Sequence, residues 1–99
     1  RRRRGGLVVT AVVLLNIERD KINEVAQQLV AIEAISEVYS VAGQYDLIAI
    51  VRAKDNDDLA AVVTGDLLKL PGVQRSETLI AFRVLSRHDL DRMFSIGLE

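Results

Sequence analysis

Between Val38 and Arg52, two apolar and largely β-branched runs flank Gly43-Gln44. That arrangement is a strand–turn–strand signal and predicts a hairpin with strands at roughly 38–42 and 45–53. A glycine in a short connection supplies the positive φ that a tight turn needs. Tyr45 and Asp46 follow at once, at the mouth of the second strand. A phenol and a carboxylate there can exchange hydrogen bonds without interrupting the ladder. Two roles for Asp46 stay open on spacing alone: satisfying backbone donors of the turn, as Asp often does, or meeting a ligand.

The chain before this hairpin opens with Leu7 to Ile17, apolar except for Thr10 and Asn16. Its β-branched content favours a strand. Both alternating sets are apolar, with Val9, Ala11, Val13 and Leu15 on one side and Val8, Val12 and Leu14 on the other. The second hairpin strand repeats this, with Leu47, Ala49 and Val51 against Ile48 and Ile50. A strand covered on one face only alternates more strictly. The second face therefore needs a cover as well.

Asp20 is placed to cap a helix running to Glu33 or Ala34, with Ile22, Val25, Ala26, Leu29 and Ile32 at helical spacing. Asp55-Asn56-Asp57-Asp58 supplies the cap and first-turn carboxylates of a second helix, whose buried stripe is Leu59, Val62, Val63, Leu67 and Leu70. Gly65 within it is expected at a close packing contact, and Pro71-Gly72 stops it. A last strand spans Val73 to Leu85, with Ser76, Thr78, Ile80, Phe82 and Val84 sharing one face. The tail from Arg87 to Glu99 reads as a short helix or an arm packing on a partner.

The order is strand–helix–strand–strand–helix–strand, two βαβ halves. Right-handed crossovers fold such halves into an α+β, ferredoxin-like βαββαβ sandwich, a four-stranded antiparallel sheet with both helices on one face. Helices then cover one face only, and a second copy of the chain is the simplest cover for the other. Homodimers are the expectation.

At 99 residues and 49% hydrophobic, the chain is one domain with a real core. Two Tyr, two Phe and no Trp make that core aliphatic. The absence of Cys removes disulfides, thiolate metal sites and Cys nucleophiles, and fits a cytoplasmic protein. No run approaches the roughly 20 apolar residues of a membrane span, and nothing resembles a signal peptide. The net charge of −1 hides an asymmetry, because four of the 13 basic residues are Arg1 to Arg4. Residues 1–6 read as a disordered tail or an artificial remnant. Without those arginines the balance is 9 basic against 14 acidic, or −5, so the body is a poor duplex binder and specific nucleic-acid binding is not expected.

Catalytic chemistry is poorly supported. His88 is the sole imidazole and sits beside Asp89 in the tail; a solvated polar turn accounts for the pair. No Cys/His set and no phosphate-cradling Gly-rich loop occurs, so neither metal nor cofactor is expected. The run Asp55 to Asp58 lacks the Gly and final Glu of a calcium loop, and helix capping explains it better. Ligand binding fares better. The topology brings the Gly43–Asp46 turn, the loop at Asn16 to Arg19 and the start of the last strand to one end. Ser76 and Thr78 lie near that end, where their hydroxyls suit a ligand crevice, although Thr is also an ordinary strand residue.

The hairpin pattern Val-x-x-Val-x-Gly-x-Tyr-Asp (Val38 to Asp46), with Pro71-Gly72-Val73 leading into a Thr-containing strand (to Thr78), resembles the effector-binding domain of the Lrp/AsnC regulators. That domain is also called RAM, for regulation of amino-acid metabolism, and the resemblance covers residues 7–86. It implies dimers paired through their sheets, higher assemblies up to an octameric ring, and amino acids or related small effectors bound between dimers. It also implies a ligand site at Gly43, Gln44, Tyr45, Asp46, Ser76 and Thr78. Full regulators carry a helix-turn-helix that nothing here could form. The expectation is a stand-alone member or an excised effector domain, with a DNA-binding paralogue among its partners. Alternatives are a dimeric α/β-barrel monooxygenase or a purely structural partner-binding assembly. ACT domains usually place a Gly in the first strand–helix loop, which is Asn16-Ile17-Glu18-Arg19-Asp20 here. An RNA-recognition sheet needs stacking aromatics that the first strand lacks.

Overall fold

The computed structural model describes residues 8–83, together with 85 and 87. The expectations for Arg1–Gly6, His88 and most of the 87–99 tail lie outside these residues. The longest apolar run forms strand β1 (Val9–Ile17). It sits inside a single antiparallel sheet of order β2-β3-β1-β4, with β2 at Ile35–Ser40, β3 at Leu47–Ala53 and β4 at Val73–Ile80. The helices α1 (Ile22–Val30) and α2 (Asn56–Ala60) make the two crossovers. The predicted βαββαβ arrangement is the one observed.

Alternation decides the core. Ala11, Val13 and Leu15 of β1 and Leu47, Ala49 and Val51 of β3 are all fully buried. They meet Val25 and Leu29 of α1 and Leu59, Val62, Val63 and Leu67 of the second crossover. Residues directly opposite in an antiparallel pair project to the same face. The other face therefore carries Val12 and Leu14 of β1, Ile48 and Ile50 of β3, Tyr39 of β2 and Leu79 of β4. No helix packs there among the described residues, and Tyr39 and Leu79 are 48% and 47% exposed.

Several boundaries move for identifiable reasons. Asp20 makes no side-chain cap; it lies in a 3-10 turn, Arg19–Lys21, closed by the Lys21 N–H donating to the Glu18 carbonyl at 2.9 Å. Helix α1 stops at Val30 because Ile35 is drawn into the core opposite Val51, which starts β2 three residues earlier than expected. β4 ends at Ile80, not Leu85, because its partner runs out: Ile80 opposes Ala11, and the Ala81 N–H donates to the Thr10 carbonyl close to the start of β1. At α2 the acidic run does act as a cap, the Asp58 N–H donating to Asp55 Oδ1 at 2.7 Å while Asp58 Oδ2 accepts from the Lys54 N–H at 3.3 Å.

α2 continues into a π-helical run, Ala61–Leu67, followed by an i→i−5 bond from the Leu68 N–H to the Val63 carbonyl at 2.9 Å. Gly65 lies in this run, and apart from its chain neighbours and the surrounding helix backbone no atom comes within 4 Å of where a Cβ would stand. The close contact expected at Gly65 is absent. It occurs instead at Gly72, whose φ is +103° and whose Cβ would come within 3.0 Å of Lys21 Cδ and 3.2 Å of Val25 Cγ2.

Candidate functional site

β1 ends, and β3 and β4 begin, at one end of the sheet, where the connection 41–46 joins β2 to β3. This connection is longer than the tight turn expected, because Asp46 is bonded to β1 as well as closing the loop. Its N–H donates to the Leu15 carbonyl at 2.9 Å, and its own carbonyl accepts from the Val41 N–H at 3.0 Å. The β1–β3 ladder stops at Leu15 opposite Leu47. Asp46 prolongs it in side-chain form, Oδ2 accepting from the Ile17 N–H at 2.8 Å. Asn16 Nδ2 donates to the Gln44 carbonyl at 2.7 Å and ties down the middle of the loop. Gly43 takes φ +138°, with open space where a Cβ would be, so its backbone can be approached closely.

Tyr45 reaches across the sheet end, its hydroxyl donating to Glu77 Oε1 at 2.6 Å. That bond raises the phenol's pKa above its usual 10.0; desolvation and the Glu77 charge push the same way, and Arg75 opposes them. Asn16, Gln44, Tyr45 and Arg75 line a cleft of about 380 Å³. It offers a cation, two amides and a phenol; Asp46 is not among the lining residues, and its Oδ2 is bonded to the Ile17 N–H. Such groups can bind and orient a small polar molecule; they contain no nucleophile paired with a base.

The six residues singled out from sequence fall into two groups. Gly43, Gln44, Tyr45 and Asp46 come together in the loop. Ser76 opposes Leu15 and Thr78 opposes Val13, which places both on the helix-covered face. Thr78 there joins Asn56, Leu59, Val63 and Ile80 along an apolar groove of about 220 Å³. Asn16 and Arg75, directly opposite each other on the other face, also line the cleft; the sequence brings the Asn16 loop to this end but does not single out Arg75. The available signal is that Arg75 shares a face with Glu77 at the strand end nearest the turn. A depression of about 400 Å³ at the far end of the sheet is lined by Glu33, Arg52, Asp58 and Asp66, among others; Asp58 there belongs to the α2 cap. Among the described residues no helix is long and apolar enough to cross a membrane.

Residues 10–90 match the family model of the Lrp/AsnC ligand binding domain. The HTH-type transcriptional regulator FL11 of Pyrococcus abyssi is 33% identical over 79 residues, which are 79% of this chain and 51% of the regulator. The chain thus spans about half the length of the curated relatives it matches. The crystal structure of TTHA0845 from Thermus thermophilus aligns with a TM-score of 0.75 at 43% identity, covering 80% of this chain and 99% of that one. The transcriptional regulator NMB0573 from Neisseria meningitidis, solved as an L-Met complex, aligns with a TM-score of 0.73. Its 16% identity, over 80% of this chain and 53% of that one, shows the fold alone. The monooxygenase alternative falls to the family match, and what the fold and the matches share is a regulatory, non-enzymatic module: the chain belongs to the Lrp/AsnC family, with its ligand-binding domain at residues 10–90.

Proposed function

We propose that this domain senses a small zwitterionic effector, an amino acid, at the hairpin end of the sheet, and that it does so as an assembly of at least two copies. The observation that supports the site is the loop 41–46 itself. It is held to β1 by Asp46 and Asn16, it exposes the Gly43 backbone, and it borders the cleft that Tyr45 and Arg75 line. Asp46 accepts from the effector's ammonium, the natural partner of a carboxylate in a partly dry crevice. Gly43 and Gln44 offer backbone N–H groups at close range. Ser76 and Thr78 face away within one copy, so they join the polar ring only when a neighbouring copy brings its strand start to the loop. The apolar open face, with Val12, Leu14, Ile48 and Ile50 at its centre, gives a second copy something to bury. The Neisseria regulator, built on the same fold, was solved with L-Met, which supports the choice of effector class.

The test is calorimetric titration with the twenty amino acids, repeated on Asp46→Asn, which removes the charge and keeps an oxygen for the Ile17 N–H. A charge-assisted contact is worth about 1.5–3 kcal/mol, so the variant should bind about ten- to a hundredfold more weakly. If none of the twenty binds, the sensing function is wrong. If one binds the variant and the wild type equally, the site is elsewhere.

A further inference from the structure

We infer that Arg75 is the residue that anchors the effector's carboxylate, an inference that rests on the amino-acid reading above. The loop cannot supply all of that recognition. Two of its N–H groups are spent inside the fold, Val41 on the Asp46 carbonyl and Asp46 on the Leu15 carbonyl. At the cleft itself the loop turns the Gln44 carbonyl toward Asn16 Nδ2. That carbonyl is an acceptor, and the N–H groups that Gly43 and Gln44 offer are neutral, so the loop brings no positive charge to a carboxylate.

Asn16 spends one of its two amide N–H donors on the Gln44 carbonyl, and the one that remains carries no charge. The Tyr45 hydroxyl already donates its one O–H to Glu77 Oε1. Of the cleft's four lining residues, only Arg75 brings a positive charge, with five N–H donors on one planar group. Its planar fork matches a carboxylate with two parallel N–H···O bonds, which a lysine ammonium cannot reproduce. The Tyr45–Glu77 bond contributes by position: it occupies Glu77 with the phenol on the same strand face as Arg75. Ammonium toward the loop, where the Gln44 carbonyl accepts and Asp46 stands next to the lining residue Tyr45, and carboxylate to Arg75, gives the cleft a polarity that fixes which way round an amino acid sits.

The experiment titrates the amino acid that binds wild-type protein best, and its methyl ester, into wild type, Arg75→Ala and Arg75→Lys. The ester keeps the ammonium and lacks the anionic carboxylate. Arg75→Ala should lose about ten- to a hundredfold in affinity for the amino acid and leave the weaker ester affinity unchanged. Arg75→Lys should recover part of the loss. Amino-acid affinity unchanged in Arg75→Ala overturns the anchor and leaves the sensing reading standing. Equal losses for acid and ester also overturn it, because they place Arg75 in the structure of the site and not on the carboxylate. Failure of all twenty amino acids to bind wild type overturns both.

Discussion

Replacing Asp46 by alanine should destabilise the domain before any effector is considered. Its Oδ2 accepts from the Ile17 N–H at 2.8 Å across 29 positions of sequence. Ile17 is 4% exposed, so water is poorly placed to take over. Leaving a buried backbone donor without an acceptor costs about 1–3 kcal/mol. Taking about 2 kcal/mol, and about 4–8 °C in Tm per kcal/mol for a domain of this size, Asp46→Ala should melt about 8–16 °C below wild type. Asp46→Asn keeps a neutral acceptor of the same shape and should fall by less than half as much. The assay is thermal unfolding followed by circular dichroism at one fixed protein concentration, since any assembly makes Tm depend on dilution. Asp46→Ala melting within about 2 °C of wild type would refute the reasoning. So would an Asn variant that falls as far as the Ala variant, because the charge and not the acceptor would then be carrying the bond. The comparison also guards the binding experiment, which uses the Asn variant for this reason.

Light scattering should find the wild type at least dimeric at micromolar concentration, and Ile48→Glu, at the centre of the open face, should dissociate it; a stable wild-type monomer with a melt independent of dilution would sink the assembly. Gly72→Ala should cost more than about 1 kcal/mol, since φ is +103° and a Cβ would meet Lys21 and Val25, whereas Gly65→Ala should gain about 0.5–1 kcal/mol in open space; urea unfolding that ranks the two the other way would contradict the packing described. Tyr45 should titrate above pH 10 because its hydroxyl donates to Glu77. The native state holds that proton more tightly, so its contribution is present below pH 10 and is lost as pH rises through the raised value. Absorbance titration of Glu77→Gln should return one of the two tyrosines toward 10.0, leaving Tyr39, which Glu37 raises separately; no change would disprove the pairing.

How far the chain can be read without its structure depends on whether a property is periodic or pairwise. The alternation in Val9 to Leu15 and Leu47 to Val51 is periodic, and it carries the strands, the buried face and the doubly apolar sheet through to the structure. Hairpin and crossover order then leave one sensible sheet. What cannot be read is what depends on register between distant segments. Asp46 has two open roles, turn acceptor or ligand acceptor, and no local spacing reveals that Ile17, in a different strand, presents an N–H at 2.8 Å. Gly65 and Gly72 are both glycines near a helix end, and only the approach of Lys21 and Val25 distinguishes them.

The hydroxyls of β4 show the same limit in its sharpest form. Chain order places Ser76 and Thr78 near the turn; Ser76 lies opposite Leu15, close to that end, whereas Thr78 lies opposite Val13 at the middle of β1 and lines a groove with Asn56 and Ile80. The face is not legible, because shifting a strand by one residue exchanges every side chain between faces. Opposite Leu15 and Val13, Ser76 and Thr78 fall on the helix side, whereas Arg75 and Glu77, opposite Asn16 and Leu14, fall on the face that Tyr45 reaches. The polar character of β4 has a physical source independent of any ligand. It is an edge strand, and polar side chains along such a strand keep its unpaired backbone from joining another sheet. A hydroxyl at an edge is therefore weak evidence for a crevice. Arg75 shares that edge, so what counts toward a site is that its guanidinium lines the cleft beside the fixed loop, where the acid and ester titrations read its charge directly.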